Sequence, residues 1–82
     1  MSAIDARLAE IGIDLPKPAA PVANYVPYVI SGKQVFISGQ ISMGPDGLVT
    51  GRLGDSMDVD AGQAAARLCA INLIAQLKAA CD

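Results

Sequence analysis

The sequence predicts a small α+β fold with a thin core, on three observations. Two short β-branched runs, Tyr28 to Ile30 and Gln34 to Ser38, are joined by Ser31-Gly32-Lys33. A long Ala- and Leu-rich stretch, Ala61 to Ala80, has the apolar spacing of a helix. A segment holding Pro16, Pro18, Pro21 and Pro27 separates the strands from a short helical start. The 82 residues read as a single partial domain: helix over 2–11, extended connector over 12–27, strands over 28–53 and helix over 58–81.

Each element has a local cause. Ser2-Ala3-Ile4-Asp5 has the form of a capping box with Asp in place of Glu or Gln, and Ile4, Leu8 and Ile11 then recur at helical spacing before Gly12. The prolines that follow each remove a backbone donor and hold the chain extended on the surface. Pro27 opens the first strand, where no ladder donor is yet needed. Consecutive apolar residues at Val29-Ile30 and Val35-Phe36-Ile37 predict a hairpin buried on both faces. Gly44-Pro45-Asp46-Gly47 is a turn signal, and Leu48 to Leu53 reads as a third short strand interrupted by Gly51. Asp58 or Asp60 caps the last helix, Gln63 suiting the later start. At 100° per residue this helix has two apolar faces, Leu68-Ile71-Ala75 and Leu73-Ile74-Leu77. A helix with two apolar faces is expected to be covered from two directions.

Composition sets limits on chemistry. A chain of this size buries only a little over ~60% of the surface it exposes when unfolded. It is 52% hydrophobic but 4% aromatic, with no Trp, so alanine and aliphatic residues supply its burial. That predicts an oligomer or a further segment to complete the cover. Net charge is −2 and the six basic residues are scattered, which gives no footprint for a nucleic-acid backbone. With no histidine, Ser-His and Cys-His nucleophile pairs, His metal ligands and an imidazole base are excluded. Asp55, Asp58 and Asp60 lack the spacing of a calcium loop and suit a helix N-terminus instead, so no metal site is expected. Gly44 to Gly47 is not followed by Gly-Lys-Ser/Thr, which rejects a phosphate loop. Cys69 and Cys81 fall on one helix too far apart to bridge. No uninterrupted apolar run has the length of a membrane span or signal segment, so the expected location is cytoplasmic.

The tract from Ala23 to Ile41, ANYVPYVISGKQVFISGQI, resembles the opening of the reactive intermediate deaminase family, also called Rid, YjgF or L-PSP. The resemblance lies in an aromatic start, a strand, a glycine turn, an apolar strand and a terminal Ser38-Gly39-Gln40 followed by Ile41. Gly62-Gln63-Ala64-Ala65-Ala66-Arg67 through Leu77 is similar to the family's first long helix. The match runs from about Pro21 to the end, and the helix and proline-rich connector before it resemble a branch with a longer N-terminus.

The resemblance implies the N-terminal portion of a chorismate-mutase-like fold, trimeric, with sites in clefts between subunits. It implies a cofactor-free hydrolase that converts enamine or imine products of pyridoxal-phosphate enzymes, such as 2-aminoacrylate, to a 2-keto acid and ammonia. At matching positions Tyr25 would stand at the cleft mouth, Gly39 would allow close approach of backbone to substrate, and Ser38 and Gln40 would flank it. The partner implied is thus a small imino or keto acid. The arginine and carboxylate that complete such a site come from the family's second half, and neither Arg52 nor Arg67 matches that arginine. The chain alone is therefore expected to be inactive, with no catalytic residue assigned within it. An endoribonuclease or translation-inhibitor activity, a label the family carries, is the alternative from another class, and a non-catalytic ligand-binding module is a third.

Overall fold

The computed structural model describes residues 2–18 and 26–81. Helix α1 spans Ser2–Glu10, strands β1 and β2 span Tyr28–Ser31 and Gln34–Ile37, β3 and β4 span Met43–Gly44 and Gly47–Leu48, and helix α2 spans Val59–Cys81. The α+β class and the order helix, hairpins, long helix are as the sequence predicts.

Helix α1 stops by a glycine cap. Gly12 has φ 77°, and the amides of Gly12 and Ile13 donate to the carbonyls of Ala9 (3.1 Å) and Leu8 (2.8 Å). This pair of bonds is the Schellman motif, which satisfies the last carbonyls of the helix. Asp5, read in the sequence as a capping residue, accepts a hydrogen bond from Lys78 Nζ at 2.9 Å and so ties α1 to the end of α2.

The chain then returns in two antiparallel hairpins. In the first, Tyr28 pairs with Ile37, Val29 with Phe36, Ile30 with Val35 and Ser31 with Gln34. Gly32 at φ 61° supplies the left-handed residue that so short a connection needs. In the second, Met43 pairs with Leu48 and Gly44 with Gly47, around the predicted Pro45-Asp46 turn. The strand expected over 48–53 is shorter than its sequence suggested: pairing ends at Leu48, and Leu53 meets Met57 in an isolated bridge instead. Turn bonds from Asp55 and Met57 to the Arg52 carbonyl, and from Gly54 to Met57, take the backbone groups a longer ladder would have used.

Helix α2 begins at the earlier of the two candidate caps. Asp58 Oδ1 accepts the amide of Ala61 at 2.8 Å, and the Asp58 carbonyl accepts Gly62 N–H at 3.0 Å. Asp60 lies in the first turn, where its charge complements the helix dipole. The helix packs across β1, β2 and β3. Leu68 lies over Gly44, where a side chain on the strand would sit only 3.2 Å from its Cδ1.

Little of this is enclosed. Among the described residues Leu8, Ala75 and Gln76 are buried, at 8%, 3% and 2% exposure. Val29 and Phe36, paired on one hairpin face, stay 52% and 54% exposed, and on the other face Val35 and Ile37 are half-buried while Ile30 is exposed, so the expected burial of both sheet faces is not met within the described residues. The second apolar face of α2 is likewise open at Leu73 and Leu77. A radius of gyration of 14.2 Å exceeds the value of about 12 Å for a compact domain of this length. By length and composition alone α2 would be long enough to cross a membrane, its 23 residues reaching a mean hydropathy of 1.3 over the best window, but its apolar run is interrupted by Arg67, Asn72, Gln76 and Lys78. Alanine supplies much of that apolarity, and the helix is fastened to the strands through Asn72.

Candidate functional site

The residues singled out in the sequence cluster where β2 ends. Tyr25 lies outside the described residues. Ser38 directly follows β2, and its amide donates to the Pro27 carbonyl at 3.0 Å, extending the hairpin by one bond. Its Oγ–H is shared between the carbonyls of Val26 (3.0 Å) and Pro27 (3.1 Å). Ser38 thus pins the chain entering β1 against the chain leaving β2. Gln40 turns back, its Nε2 donating to the Ser38 carbonyl at 3.3 Å. Both residues are half-buried; Ser38 holds the chain that enters β1, and Gln40 holds the carbonyl of Ser38.

Gly39, between them, is exposed. Its backbone is not left-handed, and a Cβ built on it meets nothing within 4 Å. Neither turn geometry nor packing among the described residues calls for glycine there. The bulge or turn that would explain it structurally is absent at this position.

Beyond Gln40 the chain is held by a polar residue of α2. Asn72 Nδ2 donates to the carbonyls of Ile41 and Met43, both at 3.0 Å, across a separation of about 30 residues. The Ile41 carbonyl also accepts Met43 N–H at 2.8 Å. Asn72 therefore fixes where the Ser38-Gly39-Gln40 backbone runs relative to α2. The available signal was a polar amide set between the two apolar faces of a helix, a position that costs stability unless the amide finds partners.

A hollow lies away from these residues. A groove of about 520 Å³ runs between the connector at Ile13 and Pro16, the β3–β4 turn at Met43 and the α2 residues Leu68 and Ile71, with Arg67 on its rim. Ser38, Gly39 and Gln40 do not line it. Arg67 forms no ion pair among the described residues, and the same holds for Arg52. Of the acidic residues before α2, Asp58 is engaged as the cap, and among the described residues no group of three or more Cys, Asp or Glu could hold a metal. One carboxyl has a displaced titration: the hydrogen bond from Lys78 holds Asp5 below its ordinary range, and it is remote from Gly39 in the chain.

Comparison with known proteins settles the relationship. The family model described as "YjgF/chorismate_mutase-like, putative endoribonuclease" matches residues 5–82. The chain belongs to the YjgF family. Among curated relatives, Protein TCP17 of Trypanosoma cruzi is 49% identical over 78 residues, which cover 94% of this chain and 49% of that protein. A crystal structure titled as a putative endoribonuclease from Shewanella oneidensis matches with a TM-score of 0.86 and 45% identity, over 94% of this chain and 52% of that one. Atu1372 of Agrobacterium tumefaciens, whose title gives its function as unknown, matches with a TM-score of 0.77 and 45% identity, over 96% and 46%. The chain spans about half the length of these YjgF-family relatives.

Proposed function

We propose that this chain supplies one wall of a cleft in which an enamine or imine acid is hydrolysed to a 2-keto acid and ammonia without a cofactor. The observation that carries this reading is Gly39. It is a glycine the fold itself does not use, presented on the surface between two side chains, Ser38 and Gln40, that are spent on holding the backbone. Such an arrangement leaves a bare backbone for a small planar substrate to lie against. In this reading Tyr25 closes the cleft mouth.

The other wall has to supply a cation for the substrate carboxylate and a positioned water with an acid or base beside it. No arginine stands near Ser38 to Gln40 in sequence, and Arg67 lines the separate groove. We assign the second wall to polypeptide beyond these residues, brought in a homo-oligomer, as a trimer in the family's pattern, through the open Val29 and Phe36 face. A cytoplasmic location accompanies this proposal, since such substrates arise beside pyridoxal-phosphate enzymes.

The test is ammonia release from 2-aminoacrylate generated by a dehydratase. The chain alone is expected to match the buffer rate. Joined to the remaining half of the Shewanella oneidensis relative, it is expected to exceed that rate and to lose the gain with Gly39→Val. A folded chimera that releases no ammonia overturns the reading.

A second reading follows from the description of the family and of the Shewanella oneidensis protein as "putative endoribonuclease". The net charge of −2 and the absence of histidine weigh against it. Salt-dependent retention of RNA by the chain would favour it.

A further inference from the structure

We propose that Asn72 is a positioning residue for the hydrolysis: it grips the turn that ends the cleft wall and so sets where the Gly39 backbone stands against the substrate. This rests on the hydrolysis reading above and brings α2 into the site, through a side chain that acts on the wall and not on the substrate.

The stretch that leaves β2 has few bonds of its own. Ser38 is fastened to Val26 and Pro27, and strand pairing resumes only at Met43. Between them the Met43 amide donates to the Ile41 carbonyl at 2.8 Å, two residues back, which closes a γ-turn about Ser42. Among the described residues only glycines have a positive φ, so the turn has the inverse, commoner form. A turn closed by one such bond holds its shape but not its place.

Asn72 supplies the place. Its Nδ2 has two N–H groups and spends one on the carbonyl at each end of the turn, Ile41 and Met43, both at 3.0 Å. A bridge to both ends fixes position and direction together, whereas a single bond would leave the turn free to swing. From the other side Ser42 is tied to the second hairpin: its Oγ–H donates to the Val49 carbonyl at 2.6 Å, and its carbonyl accepts the Val49 amide at 3.0 Å. The turn is therefore clamped between α2 and the β3–β4 hairpin, and the clamp begins two residues after Gly39.

This placement decides which kinetic constant moves. In the hydrolysis reading the substrate carboxylate is held by the opposite wall, so loosening the Gly39 wall leaves binding in place and spoils the alignment of the reacting carbon with water. A misplacement of about 1 Å costs on the order of 100-fold in rate. With Ser42 still tied to Val49, a loss of about 10-fold is expected, in kcat and not in KM.

The test uses the chimera with the Shewanella oneidensis half. Asn72→Ala is expected to lower kcat about 10-fold with KM unchanged, while far-UV circular dichroism keeps the helix content. Asp58→Ala, which removes the cap about 20 Å away along the helix, is expected to keep both constants. Asn72→Asp offers two carbonyls only acceptors until its carboxyl is protonated, so it is expected to be slow at neutral pH and to recover in acid relative to Asn72→Ala. Unchanged kcat in a folded Asn72→Ala chimera, or an equal loss in Asp58→Ala, overturns the proposal. If Asn72→Ala fails to fold, the acid recovery of Asn72→Asp carries the comparison, and its absence overturns the proposal. A second measurement needs no activity: in the chain alone, Asn72→Ala is expected to move the amide resonances of Gly39 and Gln40 and to leave those of α1 in place. Resonances that stay put overturn the proposal whether or not the chimera releases ammonia. A folded chimera with Asn72 intact that releases none overturns the hydrolysis itself, and moved resonances would still support Asn72 as the residue that places Gly39.

Discussion

Asn72→Ala removes a side chain that fastens the segment after Gly39 to α2, through two hydrogen bonds of 3.0 Å to Ile41 and Met43. A net contribution of about 0.5–1.5 kcal/mol per bond would give ~1–3 kcal/mol for the pair. Both bonds are solvent-accessible, so water recovers part of the loss at the freed carbonyls, and ~1–2 kcal/mol is the expected cost. With a urea slope near 1 kcal/mol/M for so small a domain, the unfolding midpoint by circular dichroism should fall by ~1–2 M. The damage should also be local. The Val49 amide, which donates to the Ser42 carbonyl at 3.0 Å, should exchange with deuterium faster relative to the amides of α2. Asn72→Asp should cost more than Asn72→Ala at neutral pH, because a carboxylate presents only acceptors to two carbonyls, and the gap should close as the carboxyl protonates. An unchanged midpoint with unchanged exchange at Val49 would refute the claim that Asn72 positions this segment.

Three further outcomes are expected. Asp58→Ala should destabilise α2 by about 1 kcal/mol through loss of the bond to the Ala61 amide, read as a lower urea midpoint, while Asp60→Ala should cost less. The link between Asp5 and Lys78 should weaken in acid. Because the hydrogen bond from Lys78 lowers the Asp5 carboxyl below 3.8, its contribution is complete above that value and is lost as pH falls through the lowered one. A pH titration of α1 amide shifts should show that step, and Asp5→Asn should abolish it. Gly39→Ala should leave the thermal midpoint within error, since nothing lies within 4 Å of the added Cβ; a marked loss would mean that the fold does need glycine there.

The elements legible in the sequence are those whose causes are local. Gly12 and Ile13 end α1 by bonds to residues three and five positions earlier respectively, Gly32 turns the first hairpin in place, and Pro45-Asp46 turns the second. The family resemblance at Ser38-Gly39-Gln40 was legible for the same reason, being a contiguous string. Two local readings remained open or ran long. Asp58 or Asp60 stood open as the cap, with Gln63 suiting Asp60, whereas it is Asp58 that accepts the Ala61 amide. The strand read over 48–53 stopped at Leu48 because the backbone groups of Arg52 and Met57 bond within their own loop.

What only the tertiary structure decided is which polar group is committed to which distant partner. The Lys78 bond to Asp5 and the Asn72 bonds to Ile41 and Met43 join residues far apart in the chain, and no spacing rule announces them. Tertiary packing also decided which apolar faces are covered. The wheel gave α2 two such faces, but only docking of strands from both hairpins showed that the Leu68 and Ala75 side is packed and the Leu73 and Leu77 side open. Periodicity states that a face must be buried; the physical identity of its cover depends on surfaces brought together in three dimensions.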